Sequence, residues 1–261
     1  MKTKITKINA NGNSFVIIKN QGDNNLLSKI SIKKICNNYS TDGLIIISHK
    51  EDNKFIMNYF NNDGTWETLC INGLTCSSLL LKEDLSEGTL FIESNHISYP
   101  IEIQHNNKVK IKLPTPKYNL KKIKLNNIQG SYINSGAKHF IIEVKDWSSD
   151  TQLIALAKKI RYNKTIFPNG TNVNFFKVLN QTTIEVKTYE KGVEKLMDSC
   201  ASGSYACAYD FYTNKKDGNK ITVINPGGKF DIILNHQTQN YYILNSAILE
   251  YRETIDLSLY P

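Results

Sequence analysis

The order of apolar and polar residues divides the chain into many short strands and a few helical stretches. Period-two alternation, or a short apolar run between polar residues, predicts a strand. Strands are expected at residues 2–8, 15–18, 44–47, 55–60, 89–93, 97–104, 109–113, 140–144, 173–178, 183–188, 221–224, 230–234, 241–244 and 248–255. Apolar residues at helical spacing predict helices over residues 26–38, 70–81, 151–161 and 200–214. The mixture indicates an α+β protein dominated by strands.

The predicted helices 70–81 and 200–214 are apolar on several sides and should lie inside a layer of strands. Each begins at a cysteine in a similar setting: residues 60–73 read FNNDGTWETLCING, and residues 189–203 read YEKGVEKLMDSCASG. Cys70 and Cys200 lie 200 − 70 = 130 residues apart, about half of the 261 residues in the chain. These similarities indicate an internal duplication.

A proline-rich stretch, Leu113-Pro-Thr-Pro-Lys117, separates the two copies. We therefore predict two pseudo-symmetric domains, each a small mixed β-barrel wrapped around a central helix. The N-terminal domain is expected to span residues 1–115, and the last strand, at about residues 248–261, is expected to complete it. The C-terminal domain is expected to span residues 116–247.

The cysteine that opens each buried helix has two interpretations. The first turn of a helix offers backbone N–H groups and the positive end of the helix dipole. A cysteine there ionises more easily than a free one, and the same N–H groups can hold a carboxylate. Alternatively, Cys70 and Cys200 are buried structural cysteines, because free cysteine is among the most buried residue types.

Composition bears on the function class. The formal net charge is +8, but the lysines are dispersed apart from the short cluster Lys117–Lys124. No RNP motif or zinc-finger spacing accompanies them, so we expect a solvated surface and no nucleic-acid partner.

The cysteine content and the hydropathy bear on the compartment. The cysteines are Cys36, Cys70, Cys76, Cys200 and Cys207, an odd number without the density of a disulfide scaffold. The chain shows no secretory signal and no run of about 20 apolar residues that could span a membrane. We therefore expect a cytoplasmic protein that does not bind membranes.

Seven motifs stand in order along the chain. They are GNSF at 12–15, DGL at 42–44, FNNDG at 60–64 with CING at 70–73, GAKH at 136–139, FPNGTNVNF at 167–175, YEKG at 189–192 with CASG at 200–203, and PGG at 226–228. Together they resemble the diaminopimelate epimerase family over nearly the whole chain. Each motif alone is weak, and the shared order makes the resemblance specific.

The resemblance implies an isomerase that inverts the α-carbon of an amino acid without pyridoxal phosphate, another cofactor or a metal. The expected reaction interconverts LL- and meso-diaminopimelate in lysine biosynthesis. Cys70 and Cys200 would be the acid/base pair in a cleft between the domains, and His139 and Glu190 would bias their protonation. The implied substrate-binding residues are Asn13, Asn61, Ile71, Asn72, Asn172, Glu190, Lys191, Ala201 and Ser202. A homodimer is also implied.

Several positions depart from the family motifs. Lys191 replaces an arginine, Ala137 and Lys138 replace an asparagine and a proline, and Ile71 and Ala201 replace glycines. A guanidinium grips a carboxylate with two parallel hydrogen bonds, whereas an ammonium is a point charge. The substrate could therefore be diaminopimelate or a different amino acid.

The same motifs are also compatible with a different function and with structural roles for several residues. The chain could be a non-epimerase relative of the same fold, such as a phenazine-biosynthesis-type isomerase or a binding protein, although such relatives generally lack the cysteine pair. His139 could be a structural histidine. Asn61 and Asn172 could be turn-forming asparagines that bond to the local backbone.

Overall fold

The computed structural model describes residues 2–20, 27–85, 88–104, 106–125, 128–215 and 218–260. The strands are β1 (Lys2–Ala10), β2 (Asn13–Asn20), β3 (Gly43–Glu51), β4 (Lys54–Asn61), β5 (Trp66–Glu67), β6 (Leu90–Ser94), β7 (Ile97–Ile103), β8 (Lys108–Leu113), β9 (Lys117–Leu125), β10 (Ile128–Asn134), β11 (Lys138–Val144), β12 (Asn172–Asn180), β13 (Thr183–Tyr189), β14 (Leu196–Met197), β15 (Lys220–Asn225), β16 (Gly228–Asn235), β17 (Asn240–Ser246) and β18 (Ile248–Asp256). The helices are α1 (Lys29–Tyr39), α2 (Ile71–Leu81), α3 (Asp150–Arg161) and α4 (Ala201–Lys215), with short 3₁₀ turns at Lys82–Asp84 and Leu257–Leu259. The predicted start of the first helix, Leu26, lies outside the described residues.

The chain divides into two compact units. Unit 1 contains Met1–Lys112 together with Leu244–Pro261, and unit 2 contains Leu113–Ile243. In unit 1 the last strand, β18, pairs antiparallel with β1. The α+β fold class predicted from the sequence is confirmed.

The two units repeat one order of strand pairing. In unit 1, β1–β2 is antiparallel, β2–β3 parallel, β3–β4 and β4–β5 antiparallel, β4–β6 parallel and β6–β7 antiparallel. In unit 2, β10–β11 is antiparallel, β11–β12 parallel, β12–β13 and β13–β14 antiparallel, β13–β15 parallel and β15–β16 antiparallel. The helices occupy matching places, because α1 and α3 precede the third strand of each series, and α2 and α4 follow the fifth. This common order supports an internal duplication.

Each unit curls its strands around one buried helix. Helix α2 packs against β1, β2, β4, β6, β7 and β18, and helix α4 packs against β10, β11, β12, β13, β15 and β16. The side chains of Leu74, Cys76, Tyr205 and Cys207 on these two helices have no exposed surface. The all-round apolar character of both sequences therefore reflects strands that surround them.

The other two helices are amphipathic and cover the outside of the strands. Ser28 caps α1 by accepting the N–H of Ser31, and Ser149 caps α3 in a capping box with Gln152. Such caps satisfy N–H groups that a helix end leaves without intrahelical partners. Helix α1 packs on a core that includes Val16 and Leu44, and α3 packs on one that includes Phe140, Val173 and Phe175.

Four strands were not predicted from the sequence. Strand β9 is exposed at most of its positions, so its lysines hide the alternation that reveals a half-buried strand. Strand β10 contains Gly130, where an added Cβ would come within 2.5 Å of the carbonyl oxygen of Ile141, so close packing with the next strand excludes a side chain. Strands β5 and β14 have two residues each, too few for any periodicity.

Every described helix is too short or too polar to cross a membrane.

Candidate active site

In unit 1, Cys70 is the N-cap residue of α2. Its backbone is extended, with φ −132° and ψ 110°, and its Sγ accepts the N–H of Gly73 at 3.3 Å. A serine, threonine or aspartate usually makes this bond. A Cβ on Gly73 would lie 2.9 Å from Cδ1 of Ile45 and 3.3 Å from Cβ of Cys70, so a side chain at position 73 would displace Ile45 or Cys70. A sulfur that accepts a backbone N–H at a helix N-terminus is stabilised as a thiolate.

A network of asparagine side chains surrounds Cys70. Sγ of Cys70 donates to Oδ1 of Asn13 at 3.8 Å, and the same oxygen accepts from Nδ2 of Asn72 at 3.4 Å. Nδ2 of Asn245 donates to Oδ1 of Asn72 at 3.3 Å, and Oδ1 of Asn245 accepts from Asn11 at 2.8 Å. Strand β2, helix α2 and the end of strand β17 thus fix the polar groups at this end of α2. Cys70 is only partly buried, whereas the side chain of Ile71 is 2% exposed.

In unit 2, Cys200 occupies the matching place directly before α4. Its sulfur accepts hydrogen bonds from the backbone N–H groups of Ser202 and Gly203. Its carbonyl oxygen accepts the N–H of Ser204 at 2.9 Å, as that of Cys70 accepts the N–H of Leu74. A Cβ on Gly203 would lie 2.1 Å from Nδ2 of Asn174, so a side chain here would displace Asn174. The common triplet that ends in glycine is therefore explained by close packing behind each cysteine.

The surroundings of Cys200 favour its thiol form. Burial of the sulfur and the negative charge of Glu190 raise its pKa to about 12, and the hydrogen bonds from Ser202 and Gly203 lower it by less. Burial also raises the pKa of Cys76 and Cys207 well above the ordinary value and that of Cys36 to about 11. Those three cysteines are fully buried, whereas Cys200 is partly exposed.

His139 lies at the start of β11 and is linked to Cys200 through Ser202. Nε2 of His139 lies 3.0 Å from Oγ of Ser202, and the same hydroxyl lies 3.6 Å from Sγ of Cys200. Nδ1 of His139 lies 2.9 Å from Oδ1 of Asn174. The imidazole has no exposed surface, and this burial lowers its pKa to about 4 despite the opposing hydrogen bond to Asn174. His139 is therefore neutral at physiological pH.

The turn that carries Glu190 and Lys191 is held by Glu194. The carboxylate of Glu194 pairs with the guanidinium of Arg161 and accepts from the hydroxyl of Tyr189 at 2.9 Å, the hydroxyl of Tyr162 at 3.0 Å and the N–H of Gly192 at 3.1 Å. Glu194 itself has φ +61°, a conformation that costs free energy in a residue other than glycine. These contacts stabilise a turn that would otherwise be strained.

The asparagines expected to bind the far end of the substrate already have hydrogen-bond partners within the protein. Asn61 accepts from the hydroxyl of Tyr59 at 2.8 Å and donates to Oγ1 of Thr65 at 3.2 Å. Asn172 accepts the backbone N–H of Lys191 at 2.8 Å and donates to the carbonyl oxygen of Lys138 at 3.3 Å. A side-chain amide has two donor hydrogens and two acceptor lone pairs, so both asparagines keep capacity for a ligand.

Within each unit the structure brings several predicted residues together. Asn13, Ile71 and Asn72 adjoin Cys70, and His139, Ala201, Ser202 and Glu190 adjoin Cys200. Asn174 and the hydroxyl of Ser202 were missed. A buried asparagine between Val173 and Phe175 in an apolar strand was the available signal. Among the described residues, no group of three or more His, Cys, Asp or Glu side chains has an arrangement that could hold a metal ion.

Comparisons with known proteins indicate one family for this chain. A sequence model of the family described as diaminopimelate epimerase matches residues 131–248. A diaminopimelate epimerase from Archaeoglobus fulgidus is 32% identical, over 91% of this chain and 91% of its own length. One from Aquifex aeolicus is 31% identical, over 83% of this chain and 85% of its own length. Among solved structures, a phenazine biosynthesis protein of the PhzF family from Enterococcus faecalis has a TM-score of 0.71 at 12% identity, covering 98% of this chain and 100% of that one, which is a likeness of fold.

Proposed function

The chain belongs to the diaminopimelate epimerase family, and from this premise we propose that it interconverts LL- and meso-diaminopimelate with Cys70 and Cys200 as its two acid/base groups. Membership makes the protein an amino-acid epimerase and therefore an isomerase. The observation that carries the finer proposal is the repeated half-site, in which each unit places a cysteine sulfur against the first N–H groups of a buried helix.

Inversion of an α-carbon suits a pair of thiols. One thiolate removes the α-proton from one face, and the other thiol supplies a proton to the opposite face. The S–H bond of the donor breaks as the new C–H bond forms, and the two cysteines exchange protonation states. A single base would have to act on both faces of the same carbon.

Two helix N-termini can stabilise the intermediate. Removal of the α-proton pushes negative charge onto the substrate carboxylate, which the first-turn N–H groups of α2 and α4 are suited to hold. The proposed contacts are the N–H groups of Ile71, Asn72, Ala201 and Ser202, and the carboxylate would share the N–H of Ser202 with the sulfur of Cys200. A single preorganised donor of this kind stabilises a transition state by about 3 kcal/mol, so several such donors supply much of the barrier reduction.

We assign the two cysteines different roles in the resting enzyme. The raised pKa of Cys200, about 12, keeps it protonated and makes it the proton donor. The sulfur of Cys70 accepts the N–H of Gly73 and faces Oδ1 of Asn13; we assign it the role of base because Cys200 is held as the thiol. The roles reverse in the opposite reaction direction after the protons have been exchanged.

Recognition of the distal end of diaminopimelate is assigned to Asn61, Asn172 and Lys191. The hydrogen bond from the backbone N–H of Lys191 to Oδ1 of Asn172 supports a common role for these two residues. Because an arginine would bind a carboxylate through two parallel hydrogen bonds, we expect Lys191→Arg to lower the KM for diaminopimelate several-fold with little change in kcat. An unchanged KM would contradict the assignment of Lys191 to the distal site.

Epimerisation assays test the proposed reaction. Purified protein is incubated in deuterated water with LL-diaminopimelate and, separately, with a panel of L-amino acids, and stereochemistry and α-deuteration are followed. Cys70→Ala and Cys200→Ala should each lower the epimerisation rate by at least about 10²- to 10⁴-fold. Cys207→Ala, which removes a buried sulfur from the same helix as the Cys200 half-site, should leave the rate unchanged.

The second candidate is the same chemistry on a different amino acid. Lys191, Ala137 and Lys138 favour it, because they depart from the family motif at positions expected to read the distal substrate groups. Rapid α-deuteration of another amino acid, with none of diaminopimelate, would replace the first candidate by the second. If no amino acid reacts, the remaining interpretations are a binding protein or a different isomerase of the same fold. The homodimer, the cytoplasmic location and the place in lysine biosynthesis remain predictions.

A further inference from the structure

His139, Ser202 and Asn174 form a hydrogen-bonded series that ends on the sulfur of Cys200. His139 and Asn174 have no exposed surface, and Thr188, which bonds to Asn174, is 2% exposed. The hydroxyl of Ser135 donates to the carbonyl oxygen of Ser202 at 2.7 Å and so anchors that residue. Solvent does not compete for the bonds among His139, Asn174 and Thr188, and each polar hydrogen there must therefore have a defined partner.

The direction of each bond follows from the amide of Asn174. Its Nδ2 donates to Oγ1 of Thr188, which leaves Oδ1 to face Nδ1 of His139 at 2.9 Å. An amide oxygen only accepts, so Nδ1 carries the proton of the neutral imidazole. Nε2 is then an acceptor, and the hydroxyl of Ser202 donates to it at 3.0 Å. The lone pairs of that hydroxyl remain for Cys200 at 3.6 Å.

We propose that Asn174 is a positioning residue: it fixes the Nδ1–H tautomer of His139, which turns the hydrogen of the Ser202 hydroxyl toward His139 and its lone pairs toward the Cys200 thiol. In this arrangement Ser202 accepts the S–H of Cys200 and aims the sulfur while it is protonated. When Cys200 has given up its proton, the hydroxyl must rotate to donate to the thiolate and release Nε2 of His139. A Ser202 hydroxyl that donated to the sulfur would lower the pKa of Cys200. Because Nε2 of His139 takes that hydrogen instead, the series favours the thiol state of Cys200 over its thiolate.

The packing around Asn174 is consistent with a fixed amide. The Cα of Gly203 lies so close that an added Cβ would be 2.1 Å from Nδ2 of Asn174, and the neighbouring strands pair Asn174 with Ile141 and Thr188. The amide therefore has little freedom to turn. The inference rests on the proposed function only for the role of Cys200, because the tautomer of His139 can be measured in the resting protein without substrate.

The first experiment records nitrogen-15 NMR spectra of the histidine rings at neutral pH. The chain has five histidines, and the signals absent from His139→Gln identify those of His139. We expect a neutral ring with the proton on Nδ1. A proton on Nε2 would overturn the proposal, because the amide would then face the other way, and the proposed epimerase activity would be untouched by that result. Failure of the activity assays would leave the tautomer measurement valid.

The second experiment removes the amide oxygen of Asn174, which accepts the Nδ1 proton of His139. Asn174→Leu keeps the approximate volume of the side chain, and we expect His139 to populate both neutral tautomers. The matched control is Asn225→Leu, which removes another buried amide beside α4, one that bonds to Ser199 and Ser204. The control should lower the melting temperature and leave the Nδ1–H tautomer intact. An unchanged tautomer in Asn174→Leu would contradict the assigned role.

Kinetic measurements distinguish a positioning role of Asn174 from a purely stabilising one. In the direction in which Cys200 supplies the proton, Asn174→Leu should lower kcat on the order of 10- to 100-fold, the range for small misplacements of catalytic groups, with KM unchanged. If Asn174→Leu fails to fold, Ser202→Ala tests the same link, with Ser204→Ala as the control on the same helix. Full kcat in Ser202→Ala would overturn the proposal.

Discussion

His139 should make the protein lose stability in mildly acidic solution, by an amount that the structure bounds. Its buried ring has a pKa of about 4, because burial disfavours the charged imidazolium. An unfolded chain binds the same proton with a pKa of about 6.5. Between these two values the unfolded state binds more protons than the folded state, so the free energy of unfolding falls as the pH falls through this window.

The gap between the two pKa values corresponds to about 3 kcal/mol of unfolding free energy. This contribution is complete above about pH 6.5 and is lost by about pH 4, with roughly 2.5 kcal/mol gone at pH 4.5. Loss of this size is a large fraction of the stability of a typical domain, which is about 5–15 kcal/mol.

Urea unfolding of wild type and His139→Gln at several pH values between 7.5 and 4.5 isolates the contribution. Other groups that titrate in this window act on both proteins and cancel in the difference. We expect the stability advantage of wild type over the variant to shrink by about 2.5 kcal/mol across the window. The comparison variant His236→Gln should give a smaller change, because His236 is less buried and its pKa is lowered less. Parallel profiles for wild type and His139→Gln would refute the assignment of a buried, neutral His139.

Further measurements test the surroundings of the second half-site. At about pH 8, Cys200 should react with iodoacetamide orders of magnitude more slowly than an exposed thiol, because a pKa of about 12 leaves little thiolate; ordinary reactivity would contradict the raised pKa. Gly203→Ala should lower kcat at least as much as Asn174→Leu, by about 10- to 100-fold or more, since the new Cβ displaces Asn174, and a fully active variant would exclude this packing. Glu194→Ala should lower the unfolding free energy by about 2 kcal/mol, less than the ~3–5 kcal/mol for a fully buried pair because its side chain is 31% exposed. The exposed Asp146→Ala should change it by no more than about 0.5 kcal/mol, and equal effects would contradict the role of Glu194.

Periodicity revealed the elements that have one buried face or are buried all round. Strand 55–60 and the two apolar helices after Cys70 and Cys200 were predicted because the spacing of their apolar side chains matches the faces that are buried. Strand β9 was not, because most of its residues face solvent and its identity depends on the backbone of β10. A strand held mainly by its neighbour leaves little trace in its own sequence.

The candidate site shows a similar division between local and non-local information. A cysteine before an apolar helix is a local pattern, and both half-sites could be located from it. The series from Cys200 through Ser202 and His139 to Asn174 joins α4, β11 and β12, which are distant in sequence. No spacing in the chain specifies that Ser202 faces His139. The sequence motif contained Asn174, but only the pairing of β11 with β12 indicates what it bonds to.

The central claim is that two thiols act on one substrate carbon, and isotope incorporation tests it most directly. LL-diaminopimelate is incubated with the enzyme in deuterated water, and the α-deuterium content of substrate and product is measured at low conversion. A two-thiol enzyme should place solvent deuterium at the inverted carbon of the meso product while the recovered LL substrate remains unlabelled. Product that retains its original proton, or substrate that gains deuterium as fast as product, would contradict the claim.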